Sequence, residues 1–276
     1  MASIDPFGRT DALDDGLLAA LVVRFEARGR HPLFSQMLLE YLDAMSISRI
    51  AEVLDLGCGT GLAARSIARR DGFRGTVTGV DISPYLVAAA TRLAGDEGLS
   101  TRLSFGVADA RALEYPDAKF DAVVVHTLLS HVDAPLAVLL EAARVLKPGG
   151  RVGIFDGDYA SMAFGHADPL KGKSDDETVI RTLVASPCVM RQMPRLLRSA
   201  GLEPVAAFSH VLAEVGRAEF WSTAIEAYRK LVVGAGGMSE EQANAWATGL
   251  QNDAEAGVFF GSCNYFAFVA QRPLEG

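Results

Sequence analysis

The sequence predicts an α/β protein with a doubly wound, Rossmann-like, mostly parallel sheet of seven strands, and three observations carry that expectation. Short β-rich runs alternate with helical stretches from residue 51 onward. A glycine-rich turn joins the first of these runs to a helix, and acidic residues stand at the ends of the first three runs. Strands that alternate with helices pair in parallel and are covered on both faces.

Two helical segments come first, at residues 14–28 and 32–45. The second places Leu33, Phe34, Met37, Leu38, Tyr41 and Leu42 at helical spacing, and both are expected to pack across the mouth of the core. Strands follow at 53–56, 76–80, 103–107, 122–125 and 152–155. Between them lie helices at 62–70, at 84–93 with Ser83 as N-cap and Pro84 in the first turn, and at 135–146, ended by Lys147-Pro148-Gly149-Gly150. The polar, turn-rich stretch 165–177 reads as a loop or lid. A helix at 193–200, stopped by Gly201, leads to a sixth strand at 204–211. Helices at 218–233 and 239–252 flank a glycine-rich break, and Ser239 and Gln242 stand in a capping-box relation. The aromatic, alternating run 263–270 is the final strand. The expected organisation is thus a helical cap (1–48), a core (49–212), a helical insertion (213–260) and a last core strand (261–276).

The chain has 276 residues, 50% hydrophobic and 22% charged, enough for one large core and too apolar for disorder. Its net charge of −8 argues against a nucleic-acid partner and favours a small molecule. Neither a basic, apolar leader nor a span of some 18 apolar residues is evident, so a cytoplasmic protein, monomer or homodimer, is expected. Cys58, Cys188 and Cys263 read as reduced thiols, and no metal-ligand spacing stands out.

The chemistry is carried by Val53-Leu54-Asp55-Leu56-Gly57-Cys58-Gly59-Thr60-Gly61. Glycines let the backbone pass close to a ligand, and the following helix start offers free N–H groups. The Gly-x-Gly-x-Gly spacing, with Asp55 two residues ahead, departs from the dinucleotide fingerprint, and a pyrophosphate would be repelled by that carboxylate. Gly79-Val80-Asp81-Ile82-Ser83 places a carboxylate about 20 residues past the turn, where it can accept from both ribose hydroxyls. Asp109, in Val107-Ala108-Asp109-Ala110, can accept from an adenine amino group.

From residue 53 to 155 these motifs resemble the class I S-adenosylmethionine-dependent methyltransferases, and the spacing is similar to the small-molecule group related to the ubiquinone and menaquinone enzymes. Lys147-Pro148-Gly149-Gly150-Arg151-Val152 resembles the family's entry to the fifth strand. The resemblance implies sheet order 3-2-1-4-5-7-6 with an antiparallel seventh strand. It implies S-adenosylmethionine as cofactor and S-adenosylhomocysteine as product. It sets Gly57, Gly59 and Gly61, with Cys58 and Thr60 between them, against the methionine part, and Asp55 on its amino group. It also sets Asp81 on the ribose, Ile82 and Ser83 along the adenine face, Asp109 and Ala110 at the adenine edge, and His126 near the sulfonium. The long insertion before the last strand departs from the compact family pattern and leaves the acceptor open.

A hydroxyl or carbon acceptor must lose a proton, which histidine can take near neutral pH. His166, in the expected loop, and His131 are the catalytic candidates, with His126 beside them; each can equally be structural, His131 by packing at the next helix start. Asp156 and Asp158 could orient a polar acceptor or cap turns, and Tyr159 and Phe164 could stack on an aromatic one or fill core. Arg30 and His31 could reach the cofactor carboxylate; Trp221, Tyr228 and Trp246 could line an acceptor pocket or the core; Arg191 and Arg195 read as an exposed face. Beside methyl transfer to a secondary metabolite or quinone-like acceptor stand two other functions. One uses the same cofactor for cyclisation or decarboxylation, and the other is a cofactor-binding sensor.

Overall fold

The computed structural model describes residues 5–274. Helices α1 (Asp15–Arg30) and α2 (Pro32–Ala44) precede the sheet. Asp14 opens α1 by accepting from the amides of Gly16 and Leu17 at 2.9 and 3.0 Å, donors that a helix start otherwise leaves free. Pro32, which needs no amide partner in a first turn, begins α2, whose Phe34, Met37, Leu38, Tyr41 and Leu42 are buried at the spacing the sequence shows.

The core then runs β1 (Glu52–Leu56), α3 (Leu62–Ala68), β2 (Thr76–Asp81), α4 (Pro84–Asp96), β3 (Leu103–Val107), β4 (Phe120–His126), α5 (Pro135–Val145) and β5 (Leu146–Phe164). After it come α6 (Pro169–Leu183), α7 (Val189–Ser199), β6 (Glu203–Gly216), α8 (Phe220–Gly234), α9 (Glu240–Glu255) and β7 (Phe259–Gln271). The sheet order is β3-β2-β1-β4-β5-β7-β6, as expected. β1 to β5 pair in parallel, and β7 runs antiparallel to β5 and β6. The chain leaves β1 in one direction and β4 in the other, so a crevice opens where these two strands end.

Alternation along the strands divides the interior in two. Val53, Val77, Val124 and Phe155 pack with α2, α3 and the insertion helices, while Leu54, Leu56, Val123, Val125 and Ile154 pack with α5 and α7. Because both faces are covered, β1 and β4 are buried almost throughout.

Two expectations are corrected. Residues 165–177 are not a loop: from Pro169 they form most of α6, opened by Asp168, which accepts from the amides of Leu170 and Lys171, both at 3.1 Å. Its polar residues are mostly the solvent face, and Val179 and Leu183 are buried beneath. Nor does β5 end near 155, because β7 continues to pair with it, past an irregularity, as far as Phe164. Asp156, Asp158, Tyr159 and Phe164 therefore lie within a strand and not after one. The capping box of α9 is present, with Gln242 N–H donating to Ser239 at 3.2 Å and Ser239 N–H to the Gln242 side chain at 3.0 Å. No helix among the described residues is long and apolar enough to cross a membrane.

Candidate functional site

β1 delivers the chain into a turn where Gly57, Gly59 and Gly61 have φ of +66, +52 and +76°, the left-handed region that costs other residues most. Space demands glycine as well: a Cβ at Gly57 would come within 2.7 Å of Leu128, and one at Gly61 within 2.8 Å of the Phe105 ring. The turn is tied to the end of β2. Cys58 N–H donates to the Val80 carbonyl at 2.9 Å, and Gly59 N–H to Asp81 Oδ2 at 2.8 Å. The other Asp81 oxygen accepts from Ser83 N–H at 3.0 Å, while the Ser83 hydroxyl caps α4 by accepting from Leu86 N–H.

Asp55 lies directly beneath this turn. One of its oxygens accepts from Ala64 N–H at 3.1 Å; the other is buried with no hydrogen-bond partner. Burial, opposed by the Ala64 amide and reinforced by Asp81, pushes the carboxyl up to about 7. A buried carboxylate oxygen without a donor is costly, and a ligand ammonium at this point would relieve it. With the open glycine turn and the strand-end carboxylates, that donor set fits an amino-acid-bearing nucleoside.

Asp55, Gly57, Cys58, Gly59, Thr60, Asp81, Ile82, Asp109, Ala110 and His126 all line one cavity. Gly61 and Ser83 are not in its wall; they start α3 and α4 instead. Asp109 stands at the end of β3 as expected, but both its oxygens accept from the Arg111 guanidinium, which holds its carboxyl below the usual range. The Thr60 hydroxyl donates to Glu26 of α1 at 2.7 Å, and Glu26 pairs with Arg65, fastening the N-terminal helix to the turn.

Three histidines have three fates. His126 stacks on Phe155, ring centres 4.7 Å apart, and its Nδ1 lies 3.0 Å from the Tyr41 hydroxyl. Burial, with Arg28 nearby, lowers its imidazole to about 3, so it is neutral against the cavity. His131 also lines the cavity, and its Nδ1 lies 2.9 Å from Asp5 Oδ2. Burial alone would lower this imidazole, but the Asp5 carboxylate outweighs it and the net shift is upward. Its Nε2 has no hydrogen bond among the described residues. His166 stands apart, outside the cavity wall, with Nε2 3.0 Å from Asp176, which also accepts from the Trp246 indole.

The remaining candidates separate in the same way. Tyr159 and Tyr228 face the cavity, whereas Phe164, Trp221 and Trp246 are core. Asp156 is held by Ser130 and Asp158 by Arg191; neither reaches the cavity wall. Arg30 is exposed and His31 packs on Phe34 and Phe220; the arginines that do line the cavity are Arg9, Arg111 and, from α1, Arg24 and Arg28. The signal of the last two was present in α1, where positions 24 and 28 share a face with Phe25 between them, but α1 alone does not reveal what that face meets.

Residues 54–154 match the family described as a methyltransferase domain. Residues 54–154 therefore carry a methyltransferase domain. That domain is similar to the methyltransferase GfsG of Streptomyces halstedii, 39% identical over 44% of this chain and 42% of that protein. It is also similar to the 27-O-demethylrifamycin SV methyltransferase of Amycolatopsis mediterranei, 36% identical over 56% of this chain and 55% of that one. The chain thus spans about half the length of these curated relatives. Among solved structures the cyclase SpnF shares the fold, with a TM-score of 0.59, 23% identity and coverage of 90% of this chain and 85% of that one. The methyltransferase domain holds the glycine turn, Asp81, Asp109 and His131; Asp5, Arg24, Arg28, Tyr159 and Tyr228 lie outside the matched residues.

Proposed function

We propose that this protein transfers a methyl group from S-adenosylmethionine to a hydroxyl of a small organic acceptor, a secondary metabolite or quinone-like molecule. One observation carries this: a single cavity joins the glycine turn and the partnerless Asp55 oxygen to a histidine backed by a carboxylate. When bound, the cofactor supplies an electrophilic methyl on a sulfonium. The chain's own groups do the rest. Asp55 takes the amino group, Asp81 the ribose hydroxyls, Ile82 the adenine face, and the segment of Asp109 and Ala110 the adenine edge. Cys58 and Thr60 contribute wall and backbone, since the Thr60 hydroxyl is spent on Glu26. Arg28 is the group for the methionine carboxylate: its cation lies 5.6 Å from the Phe25 ring, and that ring packs on Gly59. Neutral His126 can stand beside a sulfonium without repelling it, as a protonated ring would not.

His131 is the base. Asp5 fixes Nδ1 as the protonated nitrogen, leaving Nε2 to accept the hydroxyl proton, and a positioned base contributes roughly 10²- to 10⁴-fold. Alignment of oxygen, methyl and sulfur inside a closed wall can contribute more, since effective molarities reach about 10⁵ to 10⁸ M. His166 has no part in this chemistry, because it faces Asp176 away from the cavity.

The test is turnover with trideuteromethyl-labelled cofactor and a panel of phenols, quinols, amines and carboxylic acids, read by mass spectrometry. One S-adenosylhomocysteine per labelled product supports the proposal. Conversion of an acceptor without S-adenosylhomocysteine would favour the second reading, cyclisation or decarboxylation with the cofactor as a bystander, for which the fold shared with the cyclase SpnF speaks.

A further inference from the structure

Two cations line the cavity from the same face of α1, and among the described residues neither Arg24 nor Arg28 has an ion-pair partner. The nearest acid on that helix, Glu26, is spent on Arg65 and Thr60. Like charges one helical turn apart repel each other, and burial lowers the Arg24 guanidinium further. Partly buried charges without a counter-ion are expensive, so this arrangement expects anions from elsewhere.

The two arginines point at different halves. Arg28 donates to Thr127 Oγ1 at 2.8 Å, at the end of β4, and lies by Phe25 over the glycine turn. Arg24 lies 4.5 Å from the centre of the Phe220 ring and donates to Thr223 Oγ1 at 3.3 Å, both on α8. Around the Arg24 half stand Tyr159 and Tyr228, and α6 supplies Val179, Ile180 and Leu183 as an apolar wall. Tyr159 lies 5.8 Å from the His131 ring, so this half also contains the proposed base.

Resting on the methyl-transfer reading, we infer that the acceptor is an amphipathic organic acid, its carboxylate held by Arg24 and Tyr228 and its apolar body lying on α6 while its hydroxyl meets His131. A planar guanidinium stacked on an aromatic ring is suited to a carboxylate. The tyrosine hydroxyls add neutral donors, because burial raises both Tyr159 and Tyr228 above the ordinary phenol value and keeps them protonated. Arg28 remains for the cofactor's own carboxylate, so each of the two α1 cations meets one anion when both ligands are bound.

The probe pair is 6-hydroxy-2-naphthoate and its methyl ester, which share the ring and the hydroxyl and differ in the carboxylate charge and one methyl group. Each is titrated by fluorescence into protein saturated with S-adenosylhomocysteine, whose own affinity is measured first by calorimetry. The acid is expected to bind roughly 10- to 100-fold more tightly than the ester, the range for a hydrogen bond to a charged group. Arg24→Gln should abolish that preference while leaving the ester and S-adenosylhomocysteine affinities as they were, and Arg24→Lys should restore part of it. Equal affinities for acid and ester, or a preference that survives Arg24→Gln, would overturn the inference and leave the cofactor reading standing. Failure to bind S-adenosylhomocysteine at all would instead defeat the reading on which it rests.

Discussion

The cofactor half of the cavity comes mainly from one contiguous part of the sheet, residues 55–111, joined by Arg28 and His126, and is held largely by backbone; the acceptor half is gathered from Asp5, Arg24 of α1, His131, β5, α6 and α8. The first half is specified by conformations that only glycine adopts easily and by carboxylates that anchor amides, as Asp81 anchors Gly59 and Ser83. The second depends on side chains that meet across long separations, such as His131 with Asp5 and Arg24 with Thr223. A turn of the first kind admits few substitutions and so keeps one cofactor, whereas a wall of the second kind can be rebuilt around a new acceptor without disturbing it.

If the halves are separable, substitutions should divide into those that change turnover alone and those that change cofactor affinity alone. The largest effect is expected from His131→Asn, which should lower kcat by roughly 10²- to 10⁴-fold with S-adenosylhomocysteine affinity intact. Since the base must be neutral and Asp5 raises its imidazole, the rate should rise with pH through a value above the usual histidine range. Asp5→Asn removes the raising carboxylate and should move that rise to lower pH; an unmoved profile would separate His131 from the proton transfer.

Asp81→Ala comes next. It orphans the amides of Gly59 and Ser83 and removes the ribose acceptor, so S-adenosylhomocysteine should bind about 100-fold more weakly by calorimetry, each lost partner costing about 1–3 kcal/mol. A change in kcat at saturating cofactor would blur the division between the halves.

Asp55 gives a smaller effect that depends on pH. Burial raises its carboxyl to about 7, yet the ammonium of S-adenosylhomocysteine needs it ionised, so binding must release a proton. Affinity should be full above that value and fall by about tenfold per pH unit beneath it. Asp55→Asn should flatten this dependence; a wild-type affinity independent of pH from 5 to 7 would show that Asp55 does not meet the amino group. The smallest effect is that of His166→Gln, which should leave kcat and KM unchanged and lower stability by about 1 kcal/mol in urea, the usual worth of one hydrogen bond.

The same contrast explains what could be read before the fold was known. The strands and the glycine turn were legible because each rests on neighbours in sequence: alternation, an N-cap such as Ser83, a stop such as Gly201; the strand order came from the family resemblance. Helix α6 was missed because its solvent face, with Asp168-Pro169 at its start, resembles a turn, and the buried Val179 and Leu183 declare themselves only at helical spacing further on. The length of β5 was hidden because its partner beyond Phe155 is β7, about a hundred residues later. Arg24, Arg28 and Asp5 could be found only by knowing what they face. For the same reason the sequence put His166 ahead of His131 as the residue to test, and the structure sets only His131 in the cavity wall.

Calorimetric titration of the purified protein with S-adenosylhomocysteine, and separately with NAD, tests the central claim most directly. The account predicts a single S-adenosylhomocysteine site that Asp81→Ala weakens about 100-fold, and no binding of NAD, whose pyrophosphate would meet Asp55. Binding of NAD without S-adenosylhomocysteine would contradict the assignment of the crevice and with it the roles of every residue around the turn.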